Sequence, residues 1–73
     1  MRISHKKDYR VTAKDKDTKY IASTTDSFNN LASILYWAKR ASANAHRTLA
    51  YVQVYCIDDD EVDNYLPCGR LKR

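Results

Sequence analysis

A single glycine, Gly69, and a single proline, Pro67, occur in 73 residues. So few chain breakers exclude a flexible linker and predict few sharp turns. Cysteine is equally sparse: Cys56 and Cys68 are too few for a disulfide scaffold or a four-ligand zinc site. No apolar run approaches the roughly 18 residues that a membrane-spanning helix needs. The basic start "MRISHKKDYR" has no apolar stretch behind it and does not read as a secretory signal. Together these absences predict a cytoplasmic chain with reduced thiols, no membrane association and no cofactor.

What is present is ordinary for a globular domain. Hydrophobic residues make up 44% and charged residues 30% of the chain, enough apolar surface for a core. The length predicts one small domain over residues 1–73, with a stability of only a few kcal/mol, about the low end for folded domains. Charge is uneven. Residues 1–57 hold ten Lys/Arg against four acids, residues 58–69 hold five acids and no base, and the tail "RLKR" is basic, for a net charge of +4.

Hydrophobic spacing orders the elements. "YRVTAK" (9–14) alternates as a half-buried strand, "DKDT" (15–18) is a turn, and "KYIAST" (19–24) is the return strand with Ile21 inward. "TTDS" (24–27) offers N-caps, Asp26 among them, and a helical stripe follows from Phe28 through Leu31, Leu35, Ala38, Ser42 and Ala45, flanked by Ile34 and Ala41. Arg40, His46 and Arg47 fall late in that helix, where cations are favoured. "LAYVQVYCI" (49–57) is a strand whose smaller face packs on the helix, and "VDNYL" (62–66) pairs back with it. Residues 1–8 read as a loose N-terminus and 67–73 as a basic tail. The fold class is α+β: ββαββ, one antiparallel sheet in the order 2-1-3-4, covered on one face by one helix.

Three groups of residues are candidates for function. The first is the run Asp58, Asp59, Asp60, Glu61 and Asp63. It lacks the glycine and the spaced ligands of a calcium loop, so it reads first as a solvated turn and second as a contact surface, with no metal site implied. The second is Tyr36, Trp37 and Arg40, with Arg47 further round. Trp37 falls about 120° from the centre of the apolar stripe, and Trp beside Arg on an outer helical face is a composition enriched in binding hot spots. The competing reading has Trp37 folding over a loop or the N-terminal segment to complete a small core. The third is the open sheet face, where Arg10, Thr12, Lys14, Lys19, Tyr20, Tyr51, Gln53 and Tyr55 can meet. Tyrosines among cations suit stacking of single-stranded nucleic acid, although cross-strand tyrosine pairs also stabilise open sheets. The K/R-G-F/Y pattern of RNA-recognition domains is absent.

Catalysis has little support. His5 lies in the patternless N-terminus, His46 ends the helix, and one helix on a sheet offers little cleft for a Cys56–His46 pair. A Cys56–Cys68 disulfide is disfavoured because a regular hairpin places Cys68 opposite about residue 51, beyond the roughly 7 Å that a bridge spans.

In its element order the chain resembles the small inhibitors encoded by bacteriophages, including anti-CRISPR proteins and phage inhibitors of host RNA polymerase. "YRVTAKDKDTKYIAST", "DSFNNLASILYWAKRA" and "YVQVYCI" fill the hairpin, helix and third-strand places. The resemblance implies a non-catalytic, stoichiometric inhibitor or adaptor in the host cytoplasm. Its partner would be a larger protein or ribonucleoprotein complex. Exposed strand edges in so small a sheet invite pairing, so the chain reads as a monomer or homodimer. The alternative function is a small nucleic-acid-binding protein using the basic, tyrosine-rich sheet face.

Overall fold

The computed structural model describes Ile3 and residues 7–72. The elements are β1 (Lys7–Lys14), β2 (Tyr20–Phe28), α1 (Leu31–Asn44), β3 (Tyr51–Cys56) and β4 (Glu61–Tyr65). The strands form one antiparallel sheet in the order β2-β1-β3-β4, the order the sequence predicts. Strict alternation fixes the faces: Tyr9, Val11 and Ala13 of β1 and Val52, Val54 and Cys56 of β3 are fully buried. They meet Ile34, Leu35 and Ala38 of the helix and Tyr65 of β4. Each fully buried valine or isoleucine contributes about 1.5–3 kcal/mol relative to exposure.

Several boundaries differ from the sequence reading. Of the N-terminal stretch expected to be loose, Lys7 and Asp8 belong to β1, while positions 1, 2 and 4–6 (His5 included) and Arg73 lie outside the described residues. Because β1 starts two residues earlier than its alternation suggested, β2 runs on to Phe28, the partner of Lys7. Asp26 is therefore a strand residue opposite Tyr9, not a helix cap. The cap is Asn30, whose Oδ1 accepts the Ser33 amide proton at 2.9 Å. Phe28 still reaches the core, its ring tilted against Tyr9 at a centroid distance of 6.5 Å.

The helix ends at Asn44, so its last turn holds no base, and His46 and Arg47 lie beyond it. His46 takes a left-handed φ of 56°. Its amide donates to the Ala43 carbonyl and that of Arg47 to the Ser42 carbonyl. This is the Schellman pattern, with histidine where glycine is usual.

Turns are sharper than the scarcity of glycine suggested. Thr18, His46 and Asp60 all adopt positive φ without being glycine. In the β1–β2 hairpin the Thr18 amide donates to the Asp15 carbonyl and the Asp15 amide to the Lys19 carbonyl, each at 3.0 Å. Residues 66–70 repeat that pattern: Gly69 donates to Leu66 at 2.8 Å and Leu66 to Arg70 at 2.7 Å. The supposed basic tail is thus a further hairpin. Leu71 bridges Tyr65, and the Lys72 amide donates to the Asn64 carbonyl at 2.8 Å. Pro67 and Gly69 do not end the fold; they turn it, proline at the second position of the turn and glycine at its left-handed position. Both cysteines are free, Cys56 buried and Cys68 exposed.

Candidate functional site

Register gathers most of the acids at one end of the sheet, with Asp15 and Asp17 in the β1–β2 turn at the other. Asp8 and Asp26 lie near the start of β1 and the end of β2, and the β3–β4 turn places Asp58–Asp60 and Glu61 beside the same end. Asp63 sits two rungs further in, opposite Val54. The turn is exposed, as expected of a solvated tip. It is also tethered. The Lys7 ammonium donates to Asp59 Oδ2 at 2.8 Å, the Cys56 thiol lies 3.5 Å from the same oxygen, and the Tyr55 hydroxyl donates to Asp60 Oδ1 at 2.7 Å. The Lys7 hydrogen bond, with the Cys56 thiol and the Lys7 charge behind it, holds the Asp59 carboxyl below its ordinary range, and the same bond raises the Lys7 ammonium. Asp60 likewise raises the Tyr55 phenol. Among the described residues, no group of three or more His, Cys, Asp or Glu could hold a metal ion.

The helix candidates divide. Tyr36 is 63% exposed, and the Arg40 guanidinium sits over its ring, 5.8 Å from the centroid. With Trp37, Ala41 and Asn44 they line a shallow depression of about 330 Å³. Trp37 itself is half-buried and packs against the core, so it floors this patch rather than standing free of it. Arg47 is not part of it. Its guanidinium pairs with the Asp15 carboxylate at the β1–β2 turn, because the Schellman cap carries it off the helix axis. No acid occurs anywhere from Ser27 to Ile57, so the charged groups on the outer helical surface are all cations.

The open sheet face is assembled as the alternation predicts. β1 and β3 place Arg10 opposite Tyr55, Thr12 opposite Gln53 and Lys14 opposite Tyr51. Tyr20 comes opposite Lys14, because Ile21 is an extra residue bulged out of register, and Tyr20 is 61% exposed. One residue missed by sequence reasoning joins them. Lys72, delivered by the C-terminal hairpin, sets its ammonium 4.8 Å from the centroid of the Tyr51 ring. The signal was present in Pro67 and Gly69, whose spacing is that of a turn. Lys72, Tyr51, Lys14 and Tyr20 therefore form a row across the sheet, alternating cation and ring. Lys19 is exposed in the turn next to Tyr20. At the other end of the face, Tyr55 is committed to Asp60.

No protein-family model, curated protein or solved structure matches this chain. No helix among the described residues is long and apolar enough to cross a membrane.

Proposed function

We propose that the protein is a non-catalytic binding module, an inhibitor or adaptor that acts stoichiometrically on a larger nucleic-acid-handling complex by docking the outer face of α1 on an acidic protein surface. The observation that carries this reading is the Tyr36–Arg40 pair, an exposed ring with a guanidinium over it, on a floor made by Trp37. Trp, Tyr and Arg dominate binding hot spots because each offers a large, partly rigid surface with a polar end. With no carboxylate between Ser27 and Ile57, the patch complements an acidic partner. The resemblance in element order to phage inhibitors supports the stoichiometric mode of action. The acidic turn is a weaker docking point, since Asp59 and Asp60 are already held by Lys7 and Tyr55.

Capture of partners from a bacterial lysate by the tagged protein, with and without nuclease, tests the reading. A one-to-one protein partner that survives nuclease and binds Arg40→Glu about thirtyfold more weakly is the expected result. Capture of no protein partner once nucleic acid is removed, or capture that ignores both Arg40→Glu and Tyr36→Ala, overturns it.

A further inference from the structure

We propose that the open face of the sheet is a second binding site, for single-stranded nucleic acid. Tyr20 and Tyr51 would serve as stacking rings, and Lys14, Lys19 and Lys72 as phosphate contacts. The inference does not depend on the helix-face reading, since it uses the opposite side of the sheet.

Three observations converge. First, the row is built from four separate segments, namely the β2 start, the β1 end, the β3 start and the C-terminal hairpin, yet its members fall side by side. Adjacent strands lie about 4.8 Å apart, so Tyr20 and Tyr51 stand about 10 Å apart with Lys14 between them. That spacing lets an extended strand lay separate bases on the two rings and pass a phosphate over the lysine. Second, the row itself holds no carboxylate. In the adjoining β1–β2 turn the Asp15 carboxylate is taken up by Arg47, and on the face itself Asp8 and Asp60 are bonded by Ser27 and Tyr55 at the far end, which gives a bound strand a preferred side. Third, the group set over a row ring among the described residues is a cation. The Lys72 ammonium over Tyr51 is a weaker partner than a stacked base. A base displaces it, and the freed ammonium is then placed for a phosphate. A flat sheet with exposed rings reads unstacked bases, which a duplex does not offer, so single strands are the expected class.

Fluorescence anisotropy with labelled oligo-uridine, oligo-thymidine and a duplex of the same length tests the site. Non-specific affinity of the order of 10⁻⁵ M is expected for the single strands. Three phosphate contacts give a log–log salt slope of about −2, or about twentyfold weaker binding between 50 and 200 mM salt. Lys72→Gln then lowers the slope to about −1.4, or about sevenfold over the same interval. Tyr20→Ser, at an exposed position, weakens binding about tenfold. Comparing the RNA and DNA strands shows which is preferred. Failure of either single strand to bind, equal binding of the duplex, or indifference to Tyr20→Ser overturns the proposal. Loss of oligonucleotide binding through Arg40→Glu with the sheet variants silent would move the site to the helix, and overturns it too.

Discussion

Arg47 and Asp15, 32 positions apart in sequence, close the helix C-terminus onto the first hairpin. Each is prepared locally before they meet. The Asp15 Oδ1 accepts the amide protons of Asp17 and Lys19, both at 2.9 Å, which fixes the carboxylate within the turn and leaves Oδ2 for Arg47. The Schellman cap fixes the Arg47 backbone through Ser42, and the Ala50 amide donates to the Lys14 carbonyl next door at 2.9 Å. A residue that composition marks as a free surface cation is thus a structural clasp.

That clasp has a pH signature. The Lys19 amide, then the Asp17 amide and Arg47, hold the Asp15 carboxyl below its ordinary value of 3.8, outweighing the opposing effect of its burial. Asp59 is held low by Lys7. A carboxyl whose folded value is depressed stabilises the fold above its unfolded value, and that contribution is lost as pH falls through the folded value. Urea midpoints should therefore be flat from pH 7 to 5 and fall below about pH 4. Asp15→Asn keeps an acceptor for the turn amides but removes the charge. Its midpoint should be lower at pH 7, and the difference from the parent should shrink at pH 2–3. An unchanged difference at both ends of that range would mean that the Asp15 charge does not matter.

Two positions in the left-handed region should gain from glycine. A side chain there costs about 1–2 kcal/mol, while glycine returns about 0.4–1 kcal/mol through the freer unfolded chain. Thr18→Gly and His46→Gly should each stabilise by about 0.5–1 kcal/mol, read as a raised urea midpoint at constant slope. Thr18 stands where Gly69 stands in the C-terminal hairpin, and as a β-branched residue it should gain more. Asp60→Gly should not gain, since it also removes the acceptor of the Tyr55 hydroxyl.

The start of α1 separates two readings of the same residues. Asn30→Ala should cost about 1 kcal/mol of stability, whereas Asp26→Ala should change it by less than about 0.5 kcal/mol, as an exposed strand position does. Equal effects at the two positions would place the cap elsewhere.

The strand order and the open-face row were legible because a two-residue period survives any tertiary context: Arg10, Thr12, Lys14 and Tyr51, Gln53, Tyr55 needed only alternation. Ser, Thr and Asp were ambiguous at residues 24–27 because they cap helices and also line polar edge strands. What decides between the two is how far β1 extends beneath them. The C-terminal hairpin, and Lys72 with it, is marked in the sequence by Pro67 and Gly69 alone, because "RLKR" lacks the apolar alternation of a strand. The Arg47–Asp15 clasp carries no local signal at all, since it exists only once the helix has crossed the sheet.

Tyr9 offers the sharpest test of how tightly the core is satisfied. It is fully buried, yet its hydroxyl has no hydrogen-bond partner among the described residues, and burial raises the phenol above its ordinary value. An unpaired buried hydroxyl costs about 1–3 kcal/mol, whereas an apolar group of the same shape carries no such penalty. Tyr9→Phe keeps the ring against Phe28 and should therefore be neutral or stabilising by up to about 1 kcal/mol in urea unfolding. Tyr65→Phe, where the buried ring lies near Asp63, is the comparison. A loss of more than about 1 kcal/mol for Tyr9→Phe would mean that the hydroxyl is hydrogen-bonded in solution, with a bound water as the partner that fits a buried polar site of this kind.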